Sequence, residues 1–278
     1  MNATIAAGLA LVLLASPEPR AAESPFVADA KPDGDGILIH EIRSPYQSQP
    51  TRLRVLLPDD VKQGEKRSVI YLLPVEAGAE NRYGDGLAEV RELNLHNSLG
   101  VIFAAPEFSD LPWYADHPTN PKIRQESHFL KVVIPCIEKT YPARTDADGR
   151  LLLGFSKSGW GAWSLLLRHP EVFGKAAAWD APMMMDKPGK YGSGPIFGDA
   201  ANFAAYQISA ALRKRSDELH ESRRLILLGY GNFRSEHQRI HSLLDQLRIA
   251  HEYRDGPARG HDWHSGWVRE AAELLTAK

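Results

Sequence analysis

The chain has 278 residues, with 33 Lys+Arg against 35 Asp+Glu, 11 His, one Cys and a formal net charge of −2. At 43% hydrophobic and 24% charged residues it holds enough apolar material for a packed core, which excludes a disordered tail. One cysteine excludes an internal disulfide framework, and near-neutral charge without a long basic run leaves no electrostatic footprint for nucleic acid.

In chain order, residues 3–15 are apolar or small except for Thr4. That stretch is shorter than the about 20 residues needed to span a bilayer. With the polar stretch that follows to Ala22, it reads as a secretory signal at 1–22. The expected location is therefore secreted or periplasmic. Two departures are the absence of Lys or Arg ahead of the apolar run and Arg20 three places before the expected cut. Residues 23–36, rich in Pro, Asp, Gly and Ala, read as a linker, and 37–278 as the folded domain. No later segment resembles a membrane span.

Residues 37–43 and 52–57 alternate apolar and polar and predict an antiparallel pair. Residues 68–73 and 101–105 are continuous apolar runs closed by Pro74 and Pro106, as expected of strands buried on both faces. Helical spacing covers 87–98, ending at Gly100, and 124–141, with a bend expected at Pro135. Strands are predicted at 151–154, 175–179, 224–228 and 251–253. Helices are predicted at 159–169, 235–248 and 263–275. Cys136 lies in an apolar run and reads as a buried, inert thiol. Short apolar strands alternating with helices imply βαβ units: an α/β fold with a mostly parallel central sheet and helices on both faces. Residues 182–222 show no clear strand and read as an excursion over the site, which such sheets place at the carboxyl ends of their strands.

The most informative stretch is Leu151-Leu152-Leu153-Gly154-Phe155-Ser156-Lys157-Ser158-Gly159-Trp160-Gly161-Ala162. A buried strand runs into Gly-x-Ser-x-Ser and then a helix, the setting of a nucleophile on a strained turn. Small residues at 154 and 158 allow the strand and helix to pack closely, and the helix N-terminus favours developing negative charge. A serine nucleophile needs a base. His261, in Gly260-His261-Asp262-Trp263, stands on a loop before the last helix; His264 is the rival, expected inside that helix. The acid is harder to place. Asn232 stands where an aspartate is expected after the 224–228 strand. Asp180, at the end of the 175–179 strand in an apolar setting, is the preferred substitute, and Glu236 is the alternative.

Here the sequence resembles the esterase D-like group of α/β-hydrolases, the "Putative esterase" family, over about residues 50–277. The resemblance rests on several pieces in order. They are Tyr71-Leu72-Leu73, Pro112-Trp113-Tyr114-Ala115-Asp116, Glu126 with Ile134-Pro135-x-Ile137-Glu138, Gly154-Phe155-Ser156, Gly159-Trp160-Gly161-Ala162, His169-Pro170-x-x-Phe173 and Gly260-His261-Asp262-Trp263. It implies the α/β-hydrolase fold, serine ester hydrolysis through an acyl-enzyme, Ser156 as nucleophile, His261 as base and no cofactor. The family has His-Gly or Asp-Gly after the early strand, where this chain has Pro74-Val75. By that alignment the backbone N–H groups of Glu76 and Lys157 are the oxyanion donors.

Other readings accompany these. Trp113, Trp160 and Trp179 are candidate substrate-binding aromatics for a sugar or aryl group. Met183-Met184-Met185 is read either as an acyl pocket or as core. His237 and His241 are four apart on a predicted helix, read as a solvated face and not a metal site. The expected substrate is a small-molecule or carbohydrate ester, with acyl transfer to a sugar as a variant. The atypical residues 74–76 and 232 motivate an alternative hypothesis, a non-catalytic carbohydrate- or ligand-binding protein on the same scaffold.

Overall fold

The computed structural model describes residues 24–78 and 82–277; the expected signal segment lies outside them. Ten strands form one sheet: β1 (Phe26–Val27), β2 (Lys31–Pro32), β3 (Leu38–Arg43), β4 (Thr51–Leu56), β5 (Val69–Leu72), β6 (Ile102–Pro106), β7 (Arg150–Phe155), β8 (Lys175–Trp179), β9 (Leu225–Tyr230) and β10 (His251–Ala258). Their order is β1-β3-β4-β6-β5-β7-β8-β9-β10, with β2 beside β3. From β6 to β10 every pairing is parallel; β1, β2, β3 and β4 add antiparallel strands at one edge. The segment read as a linker is thus partly sheet, since β1 and β2 both pair with β3.

Each continuous apolar run feeds two cores. Val69, Tyr71 and Leu73 face one side of the sheet, while Ile70 and Leu72 face the other. Leu225 and Leu227 alternate with Ile226 and Leu228 in the same way. The two-residue period sends successive side chains to opposite faces, so a strand covered on both sides has no polar position. Helices α1 (Gly86–Glu92) and α2 (Leu95–Leu99) cover the second face together with the C-terminal helix. One helix over 87–98 was expected. The two observed meet at Asn94, whose φ of 53° breaks the spiral.

The first face is covered by α3 (Gln125–His128) running into α4 (Ile134–Thr140), by α5 (Ser156–Arg168), and by the excursion helices α6 (Gly194–Phe197), α7 (Ala200–Tyr206) and α8 (Ile208–Leu219), with α9 (Arg234–Gln246) beside them. The bend expected at Pro135 appears as a π-helical stretch at Phe129–Val133. Proline lacks the N–H that would continue the ladder and crowds the carbonyl four residues back, and a wider turn relieves both. The C-terminal helix α10 is Val268–Thr276. It starts later than predicted, so Trp263 and His264 belong to the preceding loop. Among the described residues no helix is long and apolar enough to cross a membrane.

Candidate active site

Ser156 stands where β7 meets α5, at the centre of the sheet. Its φ of 52° is left-handed, a strained value for a non-glycine residue. The neighbouring residues make the turn possible. A Cβ on Gly154 would lie 2.5 Å from the Ser158 carbonyl oxygen, and one on Gly159 would lie 2.9 Å from the Ala181 Cβ. Ser158, where a second glycine is usual, turns its hydroxyl inward. It donates to the Phe155 carbonyl at 2.8 Å and accepts from the Phe155 N–H at 3.1 Å. The Ser156 N–H donates to the Asp180 carbonyl, tying the turn to the end of β8.

Asp180 is wholly buried and also has a left-handed φ, 38°. Its Oδ2 lies 2.6 Å from His261 Nδ1. The Asn232 N–H donates to both carboxylate oxygens at 2.8 Å, and the Phe233 N–H donates to Oδ1 at 2.7 Å. Burial pushes the Asp180 carboxyl up, but His261 and the backbone N–H groups of Asn232, Gly231 and Phe233 together outweigh it and hold the group below the ordinary aspartate value. The loop after β9, where an acid was expected, therefore supplies amide donors to an acid just past the end of β8. Gly231 is required there, because its Cβ would sit 2.7 Å from Asp180 Oδ2.

His261 leaves Nε2 as its remaining ring nitrogen. The ring is walled by Phe155, Tyr83 and Phe233, with centroids at 5.1, 5.4 and 6.0 Å. His264 does not compete. Its Nδ1 lies 2.6 Å from Glu89 Oε2 and its Nε2 accepts from the Asp85 N–H, so it clamps the loop to α1. Glu236 is also engaged elsewhere: it accepts from the Met184 N–H at 2.8 Å and anchors the excursion.

Ser156, Lys157, Glu76, Asn232 and His261 line one cleft, with Arg82, Tyr83, Leu111, Tyr191, Gly192 and Phe233. Loops after β5, β6, β7, β8, β9 and β10 all contribute, as the strand-end rule requires. Lys157 Nζ lies 2.9 Å from Glu76 Oε1, with both side chains about nine-tenths buried. The ion pair neutralises the negative charge that Glu76 brings. It also joins the two segments expected to present oxyanion donors. As a residue of the first turn of α5, Lys157 has no intrahelical acceptor for its N–H.

The structure corrects several expectations. Trp113, Trp160 and Trp179 do not line the cleft; all three are core side chains. Trp113 and Trp160 pack edge to face at 5.4 Å, and Trp179 stacks on Trp267 at 5.3 Å. Tryptophan has area enough to serve either role, and closeness in sequence to a site loop does not reveal which way the ring turns. Met183 and Met185 are core as well. His237 is not on a solvated face: it is buried, its Nε2 accepts from the Ala181 N–H at 2.9 Å, and burial pushes its pKa down to about 4. It braces the residue after Asp180 from below. The cleft residues Tyr83, Tyr191 and Phe233 were missed. Tyr191 carried one usable signal, the flanking turn residues Gly189 and Gly192; it is 48% exposed with φ 54°.

The family model described as "Putative esterase" matches residues 44–268. The chain belongs to this family. Among solved structures, a fluorophosphonate-binding serine hydrolase of Staphylococcus aureus superposes with TM-score 0.70 at 14% identity, covering 90% of this chain and 100% of its own. An S-formylglutathione hydrolase from the same organism gives 0.68 at 16%, covering 90% and 98%. A ferulic acid esterase gives 0.66 at 20%, covering 89% and 97%. These likenesses show the α/β-hydrolase fold. No curated protein matches the sequence. The chain is thus an esterase-family member on this fold.

Proposed function

We propose that this esterase works through Ser156, His261 and Asp180, and that its substrates are acyl groups on carbohydrate. The observation that carries the assignment is the 2.6 Å contact between Asp180 Oδ2 and His261 Nδ1, made by a carboxylate held by the Asn232 and Phe233 N–H groups. A carboxylate at Nδ1 selects the tautomer that leaves Nε2 free to accept a proton, and it stabilises the imidazolium that forms. Ser156 Oγ attacks the ester carbonyl carbon as its proton passes to Nε2. The Lys157 and Glu76 N–H groups receive the oxyanion. Collapse expels the alcohol, which takes the proton from Nε2. Water activated by the same nitrogen then releases the acid and restores Ser156.

The rim of Tyr83, Tyr191 and Phe233 supports a ring-bearing substrate, since aromatic faces stack on sugars and aryl groups alike. The apolar stretch ahead of residue 23 supports export, which would bring the enzyme to extracellular polysaccharide. An acid locked on the histidine, which a non-catalytic binder would not need, weighs against the second hypothesis.

The test is covalent labelling of the folded protein with a fluorophosphonate probe and mapping of the adduct by peptide mass, beside hydrolysis of p-nitrophenyl acetate. Labelling at Ser156, with Ser156→Ala losing both label and turnover, is expected. Turnover that survives Ser156→Ala would sink the assignment. Release of acid from acetylated or feruloylated xylan tests the substrate class, and recovery of the protein outside the cytoplasm with a cut N-terminus tests export.

A further inference from the structure

At the edge of the sheet opposite β1, three potential ligands converge on a point that the ester-hydrolysing cleft does not use. His241 and Asp245 are four residues apart on α9 and share one face of it. His251 is the first residue of β10. His241 Nδ1 lies 2.8 Å from His251 Nε2, and His241 Nε2 lies 3.5 Å from Asp245 Oδ2. One donor atom from each of the three residues falls within 4.8 Å of the others.

We propose that His241, Asp245 and His251 bind a divalent transition-metal ion of the zinc class, stapling α9 to β10. Three observations carry this. The first is the tautomer of His251. Its Nδ1 lies 2.8 Å from the Ile249 carbonyl, which can only accept, so Nδ1 holds the hydrogen and Nε2 presents a lone pair toward His241. A ligand histidine oriented through its other ring nitrogen by a backbone carbonyl is the usual outer-shell arrangement of a metal site. The second is the pre-set ring of His241. Tyr253 stacks on it at 4.0 Å with the planes 24° apart, leaving the imidazole little rotational freedom to lose on binding. The third is the donor set. Two imidazoles and one carboxylate make up the His₂-carboxylate combination that zinc accepts, with water in the remaining position.

The spacing is close to what the ion needs. At Zn–N distances of about 2.0–2.1 Å, two nitrogens on one tetrahedral ion stand about 3.3 Å apart. The rings need to part by about half an ångström, and His241 exchanges tautomer: Nδ1 gives its hydrogen to solvent as the ion takes its place, and Nε2, 3.5 Å from Asp245 Oδ2, takes one up. Asp245, 61% exposed, closes over from the solvent side. Only residues 247–250 connect α9 to β10, and β10 leads into the loop that carries His261. Metal binding therefore secures the edge strand from which the catalytic histidine is reached.

The experiment is calorimetric titration of the full chain, produced without a histidine tag and dialysed against chelator, with zinc chloride alone. Saturable binding of one ion is expected, with a zinc-dependent rise in melting temperature. His251→Gln and His241→Gln are each expected to weaken binding at least tenfold and remove the thermal shift, with turnover of p-nitrophenyl acetate in metal-free buffer reporting that the variants fold. The other cluster of similar composition, Glu89, Glu92 and His264, is the control, and His264→Gln is expected to keep the binding. No saturable binding, binding unchanged in folded His251→Gln, or binding lost in His264→Gln would each overturn the proposal.

Discussion

At the scale of the residue, Asp180 shows how a fold can move the proposed acid. The carboxylate stands just past the end of β8, while the neighbouring loop keeps only the backbone that would have carried it. Asp180→Asn keeps the shape but cannot hold the His261 tautomer. In a serine-protease triad the same change costs about 10⁴ in kcat, and a loss of that order is expected here in steady-state hydrolysis, with KM little changed. Glu236→Gln is expected to leave kcat within a few-fold of the parent. The linkage sign follows from the lowered Asp180 value. The carboxylate adds stability above its unfolded pKa and loses that contribution as pH falls through the lower folded value.

The ion pair of Glu76 with Lys157 belongs to the same scale. Removing one partner leaves the other charge in a nearly closed site, which costs roughly 3 kcal/mol at the low end for buried pairs. Lys157→Met is expected to lower stability by about that amount in urea unfolding. Pairing it with Glu76→Gln should recover most of the loss, because no unpaired charge remains. If both changes are additive, the 2.9 Å contact contributes nothing.

At the scale of the element, the β7–α5 turn brings strand and helix to the limit of backbone approach, and α5 repeats that closeness one turn on. A Cβ on Gly161 would lie 2.0 Å from the Tyr114 ring. That ring is fully buried, and its hydroxyl donates to the Pro74 carbonyl at 2.7 Å, ahead of the Glu76 segment. Gly161→Ala is therefore expected to destabilise the protein by about 1–3 kcal/mol, the usual range for overpacking. It should also lower kcat through displacement of the segment after β5. Thermal unfolding and kinetics on one preparation would separate the two effects. An alanine that is neutral in both would show that Tyr114 is free to move.

At the scale of the molecule, two of the buried histidines, held far below the ordinary value by burial, contribute to acid sensitivity. His128 lies wholly inside, and among the described residues neither of its ring nitrogens finds a partner; burial pushes its pKa to about 3. His237 is held near 4 by the same cause. Both values are depressed below the unfolded value of about 6.5. In the window between, the unfolded chain binds protons that the native chain refuses, so stability is full above pH 6.5 and falls as the medium is acidified. Two such groups predict a loss of about 2 kcal/mol per pH unit between pH 6 and 5. His128→Leu, which removes an unpartnered polar ring, should halve that slope and leave stability at pH 8 equal or higher. A slope unchanged by His128→Leu in urea unfolding would refute the account. The excursion is fastened by another buried set. Glu126 on α3 bonds Arg168 at the end of α5, His169 just beyond it and Tyr206 on α7.

The sequence by itself determined the layered α/β architecture, the strand–turn–helix around Ser156 and the loop position of His261. Those features are local. Apolar runs, prolines, glycines and small residues act on the chain within a few positions, and the physics that reads them needs no distant partner. It also narrowed the acid to Asp180 and Glu236 through the apolar setting of one and the loop position of the other. Tertiary structure decided what remained: that Asp180 meets His261 across 81 residues of chain, that Lys157 closes on Glu76, that the tryptophans turn inward and that His241 faces His251, not His237. Each of these depends on which side of a packed element a long side chain takes. That choice is made by the whole core at once, because interiors pack densely enough that no single residue selects its own direction.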